Sequence, residues 1–326
     1  MPSKLHILHG DNAFNQDEPN ISIIDKVLYK DDIVLLFGSE KAGKSILAQQ
    51  MAFNLTCAES FLGKYKINAP KKVLYIQTEG KLNEGVERRL RMETTIKCNR
   101  QYYAHFYKKF LPLDLDSFRN SVIGAIKTLP WVPEVIFLDA LYMGMSGDLI
   151  NNKEIRKFEE NFGVIIEEFG LTGILVHHES KEPIDDDGMV IPRGDKGTYG
   201  SVFIRSWVDH IFYLKKRTGR TRTLSCETQR SGKVFSREEL LLIGDASRES
   251  LDEPLYFEIA EDVGATSQGV LAVVRGRASI TKDELKSILN LSDSTLNKSL
   301  RSLISTKQIL FDKEKGIYTY HEPIKS

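Results

Sequence analysis

Cysteine is scarce in this 326-residue chain. Cys57, Cys98 and Cys226 are an odd, widely scattered set without a C-x-x-C pair, which argues against both a disulfide framework and a zinc site. That usage suits a reducing compartment, and a cytoplasmic location is expected. Neither sign of charge prevails, because 45 Lys and Arg balance 45 Asp and Glu; contact with nucleic acid has to come from a local basic patch. No window approaches the roughly 20 apolar residues that span a bilayer. Residues 1–16 lack the basic-then-apolar order of a signal peptide, so no membrane partner is expected. Internal repeats and low-complexity tracts are absent as well. What is present has ordinary proportions, 41% hydrophobic and 28% charged, in a chain too long for one small core.

Through the first 260 residues, short apolar runs alternate with helical patterns. That order predicts an α/β domain with a mainly parallel sheet flanked by helices. Residues 33–37, 72–77, 135–138 and 173–176 are the expected central strands. A helix over 44–55 sets Ile46, Leu47, Met51 and Leu55 on one side, and a second over 83–92 carries mixed charge. A third over 151–169 repeats Ile155, Phe158, Phe162, Ile165 and Ile166 at helical spacing. Runs 209–215 and 222–227, joined by a basic turn, read as a hairpin that closes the core. Residues 244–254 are polar and acidic and mark a boundary, with 255–259 open to reading as a last strand. The expected division is a domain over 1–260 and a small one over 265–326.

The small domain reads as three helices and a hairpin. Thr281 followed by Glu284 forms a capping box, and Ser292 caps the next helix, whose expected buried stripe is Leu296, Leu300, Leu303 and Ile304. Two short runs, 308–311 and 317–320, flank a charged turn. The pattern resembles a winged helix-turn-helix domain. Its recognition helix would expose Asn297, Lys298 and Arg301 to duplex DNA, with Lys313 and Lys315 on the wing. Winged domains also serve as protein-docking modules, and that alternative stays open.

Gly38, Ser39, Glu40, Lys41, Ala42, Gly43, Lys44 and Ser45 match G-x-x-x-x-G-K-[ST] between an expected strand and an expected helix. Glycines let the main chain wrap phosphates, so that N–H groups and the helix N-terminus face the anion. Lys44 would neutralise the outer phosphates of ATP, Ser45 would hold Mg2+, and Ile46 completes the binding loop. Asp139 ends an apolar strand, which suits a carboxylate managing that magnesium or a strand-end turn residue. Glu79 follows the strand over 72–77, as a base for the attacking water or as a charge at a helix N-terminus. His177 and His178 follow another strand; adjacent strand residues face opposite ways, which disfavours a shared metal and favours a γ-phosphate sensor.

Taken together, the P-loop, the glutamate after the following strand, the strand-Asp and His-His-x-x-Lys resemble the RecA-like ATPases of the plasmid RepA-type hexameric helicase family, over about residues 21–234. The resemblance implies a homo-oligomeric ring, ATP between subunits and single-stranded DNA in the channel. By position it implies phosphate and magnesium roles for Lys44 and Ser45, catalysis by Glu79, a magnesium acid in Asp139 and a sensor in His178. Arg230 is the candidate basic finger for a neighbouring subunit, with a solvated turn residue as the alternative; Thr228 stands where replicative relatives often carry lysine. Residues 181–206 are the expected DNA loops, with Arg193 and Lys196 tracking phosphates and Tyr199 stacking on a base, unless they form an ordinary surface loop. Three functions follow: a replicative motor, a recombination or helicase-loading ATPase that does not unwind, and an ATP-switched DNA-binding regulator.

Overall fold

The structure is a computed structural model describing residues 20–109, 111–141, 152–178, 202–217, 219–230, 232–244, 253–260, 265–289 and 291–321. A small hairpin, β1 (Ser22–Ile24) and β2 (Leu28–Tyr29), precedes the main sheet. The sheet contains β3 (Ile33–Gly38), β4 (Val73–Gln77), β5 (Tyr103–Tyr107), β6 (Val135–Asp139) and β7 (Thr172–His178). It continues with β8 (His210–Lys216), β9 (Thr221–Gln229), β10 (Arg237–Ile243) and β11 (Tyr256–Ile259). In space the order is β11-β10-β9-β8-β3-β7-β6-β4-β5. Pairings from β8 across to β5 are parallel, and those from β8 to β11 are antiparallel.

Strand residues alternate between two faces, and each face has its own cover. Val34, Leu36, Tyr75, Phe137 and Val176 pack in the core that contains α1 (Lys44–Cys57). Ile33, Leu35, Ile76, Leu138 and Leu175 pack in the opposite core with α3 (Asp116–Thr128), α4 (Asn152–Phe169) and α5 (Val202–Trp207). Helix α2 (Leu82–Glu93) follows β4 and is mostly exposed. Each fully buried aliphatic or phenyl side chain contributes roughly 1.5–3 kcal/mol, so the two cores fix the strand order.

The four expected strands are present, and β6 and β7 run on to include Asp139 and His178. Three expectations are corrected. The hairpin of β8 and β9 does not close the core, because β10 and β11 extend the same sheet, with Tyr256–Ile259 of the 255–259 run as its edge strand. Helix α1 is buried on almost every side, not along one stripe. Its Gln50 donates from Nε2 to the Phe257 carbonyl at 2.7 Å and accepts from the Phe257 N–H at 2.6 Å, which pins β11 over the helix. Residues 202–206, expected within a DNA loop, belong to α5, where Ile204 is buried and Trp207 meets Phe158 and Phe162 edge-on.

The C-terminal unit comprises α6 (Ala265–Arg275), β12 (Ile280–Thr281), α7 (Lys282–Leu289), α8 (Asp293–Ser305), β13 (Ile309–Asp312) and β14 (Ile317–Tyr320). Its strands pair in the order β12-β14-β13 over a separate core that includes Val270, Leu285, Leu296, Leu300 and Leu303. The capping box forms: Thr281 N–H donates to Glu284 Oε2 at 2.8 Å, and Glu284 N–H to Thr281 Oγ1 at 3.3 Å. Ser292 accepts from Thr295 N–H at 3.3 Å, as expected of an N-cap. Ile304 is 40% exposed and leaves the expected stripe, since it lies one step round the helix from the buried Leu303.

Candidate functional site

Four strands deliver chemistry to one edge of the sheet. The P-loop leaves β3, Glu79 follows β4, Asp139 ends β6 and His178 ends β7. All four strands are parallel, so these residues gather at their carboxyl ends, where open α/β sheets bind ligands.

The loop conformation requires glycine at two positions. A Cβ on Gly38 would come within 2.1 Å of the Leu214 carbonyl oxygen on β8, and one on Gly43, at φ 100°, within 2.7 Å of the Phe257 ring. Between them Ser39 is partly buried, Glu40 and Lys41 are exposed at the tip, and Ala42 is buried. The Ala42 carbonyl accepts from Arg222 Nε at 2.8 Å, so β9 braces the loop. Burial lowers the Arg222 pKa to about 10, with repulsion from Arg220 adding to it. Lys44 is buried and its ammonium donates to the carbonyls of Gly38 and Ser39 at 2.8 and 2.9 Å.

Ser45 Oγ donates to Asp139 Oδ1 at 3.0 Å, and the buried Tyr75 hydroxyl donates to Asp139 Oδ2 at 2.6 Å. Burial pushes the Asp139 carboxyl above the usual range; the Tyr75 bond, the Arg88 charge and the Ser45 bond oppose it, while Glu79 adds to it. Burial, reinforced by the Asp139 charge, raises the Tyr75 phenol well above its ordinary value and keeps it a donor. A hydroxyl and a carboxylate in contact are the hard oxygen donors that magnesium takes, so Ser45 and Asp139 fit that ion. Bound there beside ATP, magnesium would offset phosphate charge.

His178 Nε2 lies 3.0 Å from Glu79 Oε1. That contact holds the Glu79 carboxyl below the usual range; burial works against it, and the charges of His178, Lys44 and Arg88 assist. His177 is buried while His178 is partly exposed, as opposite-facing strand neighbours should be. No group of three or more metal-ligating side chains occurs among the described residues.

These residues open into a cavity of about 470 Å³, within the range of small-molecule sites. Gly43, Lys44, Ser45, Ile46 and His178 line it, joined by Arg88 of α2, which sequence reasoning passed over. Tyr75 and Arg222 were also missed. The available signals were a phenol in an apolar strand and an arginine inside an alternating one, and neither identifies its partner without the strand order.

The other expected residues fall elsewhere. Arg230 caps α5: its guanidinium donates to the carbonyls of Ser206 and of Arg205, the latter at 3.1 Å. Arg230 is exposed just after β9 and does not line its own chain's cavity. Arg193, Lys196 and Tyr199 lie outside the described residues. On α8, Lys298 and Arg301 are exposed and Asn297 is half-buried, and Lys313 and Lys315, between β13 and β14, are exposed. Asp293 pairs with Lys282 at 3.3 Å and Lys286 at 2.6 Å, tying α8 to α7.

A mainly parallel sheet with a braced P-loop, a serine–aspartate pair and a glutamate at its carboxyl edge defines a P-loop ATPase. Residues 2–183, more than half of the chain, match the AAA domain family, and the chain belongs to that family. Among solved structures, the KaiC-like protein PH0186 from the hyperthermophilic archaeon Pyrococcus horikoshii OT3 is similar, at a TM-score of 0.47 and 13% identity, covering 73% of this chain and 94% of that one. No curated protein matches the sequence. No helix among the described residues is long and apolar enough to cross a membrane.

Proposed function

We propose that this chain is an ATP-hydrolysing DNA motor of the RepA-type hexameric helicase class, working as a homo-oligomer and carrying a C-terminal winged helix-turn-helix domain. The observation that carries the reading is the Glu79–His178 contact beside the Ser45–Asp139 pair. Glu79 accepts a proton as water attacks the γ-phosphorus, and the bond to the bridging oxygen breaks to give ADP and phosphate. Lys44 trades the loop carbonyls for phosphate oxygens. His178 is shared between Glu79 and the γ-phosphate, so that it registers whether the phosphate is present.

Two surface features support assembly and DNA contact. Leu82, Val86 and Leu90 form an exposed apolar stripe at i, i+4, i+8 on α2, next to Glu79, the kind of face a second copy would cover. Lys298, Arg301, Lys313 and Lys315 supply exposed cations on the C-terminal unit for phosphates. A second reading, an ATP-switched DNA-binding regulator, is favoured by Ile288 and Leu289 of α7 lining the nucleotide cavity.

ATPase assays with and without single-stranded DNA, followed by strand displacement on a forked duplex, discriminate these readings. Stimulation with displacement supports the motor. Stimulation alone points to a loading or recombination ATPase, and its absence to the switch.

A further inference from the structure

The nucleotide cavity has two chemically different ends. At one, Lys44, Ser45, Arg88 and His178 are suited to phosphates. The other is made by the β9 turn and the end of β10, through Arg220, Leu242 and Gly244, and by Ile288 and Leu289 from the C-terminal unit. Among the described residues this second end has no carboxylate and offers aliphatic side chains with the guanidinium of Arg220, next to that of Arg222, the surface that a heteroaromatic base takes.

The C-terminal unit is held there by its own contacts. Ala272 of α6 shares an apolar cluster with Leu241 and Ile243 of β10. Arg275 pairs with Glu258 of β11 while lying over the Tyr320 ring at 4.3 Å. Gly276 packs in van der Waals range of Gly244, where a Cβ would lie 3.5 Å from Gly244 N, and Arg220 donates to the Gly244 carbonyl. Helix α7 buries Leu285 in its own core, whereas Ile288 stays 38% exposed and faces the cavity. Packing inside the unit thus leaves Ile288 unexplained.

We propose that Ile288 and Leu289 form the base-and-ribose subsite of the nucleotide pocket, so that nucleotide binding and docking of the C-terminal unit on β10 stabilise each other. The proposal rests on the ATPase reading and names the determinant and the regulation of that same site. Linkage makes the coupling reciprocal: a ligand that touches both bodies favours their docked arrangement.

The test compares full-length wild type with Ile288→Asp and the milder Ile288→Ala, each checked for fold by circular dichroism. A non-hydrolysable ATP analogue and tripolyphosphate, which lacks base and ribose, are titrated with magnesium. The expected result is about tenfold weaker analogue binding by Ile288→Asp, a smaller loss for Ile288→Ala, and unchanged tripolyphosphate affinity. In wild type the analogue should also slow amide exchange in α6 and α7, and tripolyphosphate should not. Equal analogue affinity in all three proteins, or equal losses for both ligands, overturns the subsite. Failure of wild type to bind either ligand instead overturns the P-loop reading beneath it.

Discussion

Glu79 and His178, 99 residues apart in sequence, meet at 3.0 Å beside the P-loop. The contact holds a carboxylate in its charged form against His178, which lines the cavity, and a charged carboxylate is what abstraction of a proton from water requires. Glu79→Gln should retain ATP binding and lose turnover by roughly 10²- to 10⁴-fold. Single-turnover hydrolysis combined with equilibrium titration checks this, and near-normal hydrolysis would remove Glu79 from the mechanism.

The same contact predicts a pH effect with a definite sign. Because the His178 bond is the largest influence lowering the Glu79 carboxyl and burial opposes it, His178→Ala should raise its pKa. The acid limb of the kcat/KM profile should therefore move to higher pH. For stability, the contribution of a lowered carboxyl is present above its unfolded pKa and lost as pH falls through the folded one. A profile that keeps its limb in the variant assigns that limb to another group.

Tyr75 and Asp139 make a different test, since the phenol is fully buried and donates to a buried carboxylate. Tyr75→Phe leaves Oδ2 of Asp139 without this donor, for an expected loss of about 1–3 kcal/mol in unfolding free energy. Losing a bond that favours the charged carboxylate should also raise the magnesium concentration needed for half-maximal activity. Urea unfolding and magnesium titration measure the two effects, and an unchanged midpoint in both would show the bond to be dispensable.

Arg222 braces the P-loop from a strand of the antiparallel extension. Arg222→Ala strips the Ala42 carbonyl of that donor and opens space behind the loop. A stability loss of about 1–3 kcal/mol is expected, together with weaker binding of every triphosphate regardless of base. Binding of ATP, GTP and tripolyphosphate measured side by side gives the answer; a loss confined to one base would contradict a bracing role.

What the sequence determined by itself is the chemistry that contiguous residues can specify. The residues from Gly38 to Ser45 announce a phosphate loop because its glycines, lysine and serine act on one ligand from one stretch of main chain. Short apolar runs at β3, β4, β6 and β7 marked the sheet, and Thr281, Glu284 and Ser292 marked two helix starts, since capping is satisfied within four residues. Tertiary structure alone decided which distant groups meet: Tyr75 with Asp139, Arg222 with Ala42, Gln50 with Phe257, and α7 with the nucleotide cavity. Each of those contacts depends on the spatial strand order and on where β10, β11 and the C-terminal unit dock. That order is set by burial summed over two cores and the docking by a third apolar cluster, and neither leaves a local pattern to read.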